Sequence, residues 1–92
     1  MTIEETKSAA YMSIKNQLDE AFAKGGIPNI KAIKKVIADL KKRIKAVEFG
    51  SAFASSMDEL HKAELAVARL SGQKQAYQER LDWINERIKN AK

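Results

Sequence analysis

The chain has 92 residues, of which 32% are charged and none is cysteine, and its net charge at pH 7 is +5. A chain this short forms one domain with a thin core, and without cysteine it has neither a disulfide framework nor a thiolate metal site. No apolar run is long enough to span a membrane, and residues 1–20 lack the apolar core of a secretory signal; together with the missing cysteine, this leads us to expect a cytoplasmic protein.

The first predicted helix covers about residues 3–24. Thr2 and Glu5 have the spacing of a capping box, in which a hydroxyl and a carboxylate each accept from a free amide. Lys24-Gly25-Gly26 predicts its end, because glycine adopts the left-handed closing conformation at little cost. The apolar residues that share its face are Ile3, Ala10, Tyr11, Ile14, Leu18, Ala21 and Phe22.

The second predicted helix covers about residues 29–49. Ile27-Pro28 restarts the chain, Asn29 is its expected N-cap and Gly50 its expected end. Its apolar positions alternate in steps of three and four, which is a heptad seam typical of a helix that packs on another helix. The seam consists of Ile30, Ile33, Ile37, Leu40, Ile44 and Val47.

The third predicted helix covers about residues 56–90 and begins at a capping box formed by Ser56 and Glu59. A second heptad seam runs along it, interrupted only by Lys74. A break at Gly72 would give a four-helix bundle, but the heptad phase continues through Gly72 and favours one helix. The seam consists of Leu60, Ala63, Val67, Leu70, Lys74, Tyr77, Leu81, Ile84 and Ile88.

The third helix carries further apolar and small residues opposite its seam, and Gly72 and Ala76 there would permit close approach of another backbone. We therefore expect it to be covered on one side by the first two helices and on the other by a second copy of the chain. The remaining residues of this face are Leu65 and Trp83, with Ala54 added if the helix starts early. The expected fold is all-α: a helical hairpin plus a long, coiled-coil-like C-terminal helix, associating as a homodimer.

The middle of the chain carries the whole excess of positive charge, since residues 27–50 hold seven basic and two acidic side chains. The seven cations are Lys31, Lys34, Lys35, Lys41, Lys42, Arg43 and Lys45. They are open to four interpretations: a solvated helix face, a sequence-nonspecific nucleic-acid contact, a dock for an acidic protein surface, or a membrane-surface helix. The narrow heptad seam favours a partner helix over a bilayer.

No motif of the chain indicates catalysis, a cofactor or a metal. Asp58, His61 and Glu64 share one helix at spacings of three, but they project away from the seam and lack the ligands from a second helix that bundle metal sites use. We expect a non-enzymatic, protein-binding adaptor or modulator, including a small inhibitor of a larger partner. It would use the seven cations and Trp83 as an exposed aromatic anchor; the alternative is nucleic-acid binding through residues 31–45.

Overall fold

The computed structural model describes residues 2–26 and 29–91, which form three helices and no strand. The all-α, three-helix prediction is therefore confirmed. Ile27 and Pro28, where the chain is predicted to restart, lie outside the described residues. The helices are α1 (Ile3–Ala23), α2 (Ile30–Ser51) and α3 (Met57–Asn90).

The predicted caps form at both ends of α1. The Thr2 hydroxyl accepts from the amide of Glu5 at 3.0 Å, and the helix closes in a Schellman motif at Gly25, whose φ is +85°. There the amide of Gly26 donates to the Ala21 carbonyl at 2.9 Å and the amide of Gly25 donates to the Phe22 carbonyl at 3.0 Å. Glycine takes this left-handed conformation without a Cβ penalty, so α1 ends where the sequence predicts.

Helix α2 begins as predicted but ends later. The Asn29 side chain accepts from the amide of Ala32 at 3.0 Å. Gly50, the expected terminator, lies inside the last turn, and the helix ends at Ser51, whose hydroxyl donates to the Glu48 carbonyl at 2.7 Å. A glycine within a helix costs only about 1 kcal/mol, and no left-handed residue follows here to close the helix at position 50.

Helix α3 is continuous over 34 residues and is not broken at Gly72. Its N-terminus is held by the Ser56 hydroxyl, which accepts from the amide of Glu59 at 3.2 Å. The Glu59 carboxylate accepts from the amide of Ser55 at 2.9 Å, one residue before the position that a standard capping box uses.

The two shorter helices both pack on α3 and not on each other. Within the described residues, no Cα of α1 comes within 8 Å of one of α2, whereas each comes that close to α3. The expected hairpin of the first two helices is therefore replaced by a layer with α3 in the middle. The physical reason is that α3 offers two apolar faces, so each amphipathic helix covers one of them. The molecule is elongated, with extents of 54 × 23 × 18 Å.

The seam of α3 packs against α2. Ile33 and Ile37 of α2 form a buried cluster with Leu81 and Ile84 of α3. Leu40 continues the buried side of α2. The other face of α3 is occupied by α1: the Cβ of Ala10 and the carbonyl of Lys7 lie so close to Gly72 that a side chain there would collide with them.

The expectation that a second copy covers the small-residue face is therefore wrong. Ala68, Gly72 and Ala76 are buried on this face, and α1 of the same chain lies against it. Helical periodicity identifies a face that must be covered, but it does not say which helix covers it.

Candidate partner-binding site

The seven cations of α2 form one surface, which we call the basic face: Lys31, Lys34, Lys35, Lys41, Lys42, Arg43 and Lys45. Burial of Ile33, Ile37 and Leu40 against α3 fixes the rotation of α2 and turns the remaining positions outward. All seven cations are exposed. From Lys31 to Lys45 the surface extends about 21 Å along the helix.

The basic face is neutralised at one position only. Arg43 pairs with Asp39 on the next turn, at 3.2 Å from Nε to Oδ2. The six lysines have no carboxylate within 4 Å among the residues that the structure describes. Since like charges three and four residues apart destabilise a helix, a partner with negative charge would relieve this repulsion.

The centre of the basic face is a shallow depression between two lysines. It is lined by Lys35, Val36, Ala38, Asp39 and Lys42. The depression is open to solvent and has a lysine on each side, so a second macromolecule can reach it.

Trp83 lies within the contact of α1 and α3. Its ring is half-buried and meets the edge of Phe22 with the two centroids 5.2 Å apart at 90°. The guanidinium groups of Arg80 and Arg87 each lie 4.9 Å from the ring centroid. Such contacts stabilise the ring where it is, so the residue that the sequence offers as a free anchor is already part of the fold.

Polar side chains join α1 to α3 beside Trp83. Arg80, whose side chain is 15% exposed, forms an ion pair with Asp19, and the Tyr11 hydroxyl donates to the Glu79 carboxylate. Lys15, with Arg80 adding to its effect, lowers the pKa of Asp19 below its usual value. The hydrogen bond to Glu79 raises the pKa of Tyr11. Each of these groups already has a partner within the fold, so this cluster positions α1 on α3.

The described residues include no group of three His, Asp or Glu side chains placed to hold a metal ion. Asp58, His61 and Glu64 are all exposed on α3. None of the described helices is long and apolar enough to cross a membrane.

Sequence reasoning missed an exposed apolar cluster where α2 meets α3, which we call the apolar tip: Phe49, Phe53 and Met57. These side chains are 71%, 74% and 77% exposed, and the rings of Phe49 and Phe53 are 5.3 Å apart. The signal was present, because Phe49 falls outside the heptad seam and Phe53 interrupts a connector of small residues. Large apolar side chains this exposed at one place are typical of an interaction surface.

Comparisons of the chain with protein-family models, with curated proteins and with solved structures found no match. The candidate site therefore rests on the geometry and charge of this chain alone.

Proposed function

We propose that the chain is a non-enzymatic helical adaptor or modulator that docks the basic face of α2 on an acidic surface of a larger protein. The observation that carries the proposal is the row of six lysines that are exposed and have no carboxylate partner in the described chain. Electrostatic complementarity of this kind speeds association and selects partners. The missing cysteine supports a cytoplasmic location as part of the proposal.

The composition of the basic face favours a protein partner over a nucleic acid. Arg43 is the one arginine of the basic face, so the bidentate contacts that select bases or phosphates are few. No aromatic residue lies among the cations between Lys31 and Lys45, and bases would have nothing there to stack on.

Sequence-nonspecific nucleic-acid binding is the second candidate, since an exposed row of lysines about 21 Å long could follow a phosphate backbone. Binding of that kind would weaken steeply with salt. The experiment must therefore separate the two partner classes.

The test is site-specific photocrosslinking in the cells that produce the protein. The crosslinking amino acid replaces Ala38, which lies in the depression of the basic face. In the control it replaces Ser8, which is exposed on α1. We expect a protein adduct from position 38 and none from position 8. Replacement of Lys34, Lys35, Lys41 and Lys42 by Gln should remove the adduct. The matched control replaces four other exposed lysines by Gln, with the same change in net charge: Lys7, Lys24, Lys62 and Lys89.

Fluorescence polarisation with labelled single- and double-stranded DNA and RNA, at roughly 50 and 200 mM salt, tests the second candidate. Binding at 50 mM that collapses at 200 mM and is lost only in the α2 variant would identify the basic face as a nucleic-acid surface. No adduct at position 38 and no polarisation change would contradict both functions.

A further inference from the structure

The monomer leaves far more surface in water than its mass requires. Its accessible surface is 6798 Å², whereas a compact monomer of 10.3 kDa exposes about 5,400 Å². The excess of about 1,400 Å² exceeds the roughly 800 Å² that each partner covers in a standard interface. The fold is therefore well suited to covering part of its surface on association.

The surface that remains for association is at the end of the molecule, because both apolar faces of α3 are already covered by α1 and α2. The apolar tip is the most exposed group of large apolar side chains in the described chain. From their exposed fractions, Phe49, Phe53 and Met57 together present about 450 Å², which is within the range of functional surface patches.

Charges on the two sides of the tip are opposite. Residues 41–48 of α2 carry four cations and one carboxylate, whereas residues 57–64 of α3 carry three carboxylates and one lysine. A two-fold axis through the tip, perpendicular to the plane that contains α2 and α3, would place the basic end of α2 near the acidic start of α3 in the other copy. Such a surface is complementary to itself, as an interface with two-fold symmetry requires.

We propose that the apolar tip is a self-association surface through which two copies of this chain pair end to end about a two-fold axis. A bilayer is a poorer occupant, because Glu48, Asp58 and Glu59 flank the tip and an anionic surface would repel them. Two tips bury about 900 Å², and the adjoining helix ends bring the interface to the lower limit of stable complexes. The dimer is thus expected to dissociate in the micromolar range.

Analytical ultracentrifugation of the full chain from roughly 5 to 300 µM measures this equilibrium. We expect a monomer at the low end and a dimer at the high end. Replacing Phe49 and Phe53 by Ser should raise the dissociation constant at least about tenfold. These side chains are exposed, so helicity by circular dichroism should be unchanged. Met12→Ser, which removes an apolar side chain 45% exposed on α1, should leave the dimer intact.

Charge reversal tests the symmetry without removing the aromatic rings. Lys45→Glu and Asp58→Lys should each weaken the dimer, and the double variant should restore it, because the two positions then again carry opposite charges. Failure of the double variant to recover affinity would contradict the two-fold arrangement.

Spin labels on single cysteines test the end-to-end geometry, since the chain has no cysteine of its own. Electron–electron distances between copies should be short for a label at Ala52, next to the tip, and beyond measurement for a label at Ala91 at the far end of α3. A monomer at all concentrations, a dimer that survives loss of both phenylalanines, or a short distance at Ala91 would each overturn the proposal. The replacements at Phe49 and Phe53 leave all seven cations of the basic face in place, so their effect on the dimer is independent of the proposed adaptor function. Lys45→Glu changes the basic face and is used only in the charge-reversal test.

Discussion

Gly72 shows at the scale of one residue how α1 and α3 fit together. A Cβ at this position would overlap the carbonyl oxygen of Lys7 and lie 3.2 Å from the Cβ of Ala10. The backbone of α1 therefore approaches the surface of α3 directly. The sequence predicts that Gly72 permits close approach of another backbone, although glycine itself weakens the helix; the structure shows that this backbone is α1 of the same chain.

Replacing Gly72 by Ala should lower the free energy of unfolding by about 1–3 kcal/mol, because the overlap with a backbone atom exceeds the gain in helix propensity. Gly50→Ala is the matched control. It lies in the last turn of α2 and has nothing within 4 Å of a Cβ placed there, so the same change should be neutral or stabilising by up to about 1 kcal/mol. Urea denaturation followed by circular dichroism measures both, and equal effects would contradict the close approach.

The surroundings of Trp83 could not be predicted from its position in the sequence. Its position opposite the seam indicates correctly that this face of α3 has a neighbour. Phe22, Arg80 and Arg87, which surround the ring, come from two helices whose relative placement no local pattern specifies. A tryptophan that looks available for a partner in the sequence is therefore used within the chain.

At the scale of the helices, α3 is the shared element on which both others pack. The heptad seams and the caps at Thr2, Asn29 and Ser56 predict the three helices and their faces, because period and capping are local properties. They do not predict that α1 and α2 stay apart. That outcome depends on the packing of α1 on the face of α3 where Gly72 admits its backbone.

Because α1 and α2 pack on different faces of α3, their contributions to stability should be independent. Ile37→Ala, in the buried cluster between α2 and α3, should lower the free energy of unfolding by about 2–4 kcal/mol. Gly72→Ala disturbs the packing of α1 on α3 instead. In the double variant, the decrease in the free energy of unfolding should equal the sum of the two single decreases within about 0.5 kcal/mol. Urea denaturation measures all three variants, in a buffer that keeps the double variant folded without urea. A larger coupling energy would mean that α1 and α2 influence each other.

At the scale of the whole molecule, the charge is concentrated on one side. Exposure of the basic face follows from the heptad seam, so this part of the candidate site is predictable from the sequence. The apolar tip is predictable only in part: Phe49 and Phe53 stand out one by one in the sequence, but the residues of the tip come from the end of α2, a connector and the start of α3, and no shared period places them together.

Self-repulsion within the basic face should make stability depend on salt. Raising NaCl from roughly 10 to 150 mM shortens the screening length from about 30 to 8 Å and should raise the melting temperature by a few degrees. The variant with Gln at Lys34, Lys35, Lys41 and Lys42 should melt higher at low salt and respond less. The control with Gln at Lys7, Lys24, Lys62 and Lys89 should keep most of the response. Differential scanning calorimetry at low protein concentration measures the melting temperatures. Identical salt responses of the two variants would contradict charge repulsion within the basic face.

The central place of α3 also sets the order of events during synthesis. In the described chain, α1 and α2 make their helix contacts with the last helix only. A chain emerging from the ribosome therefore carries two amphipathic helices with uncovered apolar sides until α3 follows. Folding must wait for the C-terminal third, and a chain interrupted before Leu81 would lack half of the buried cluster that holds α2 and would be prone to aggregation or degradation.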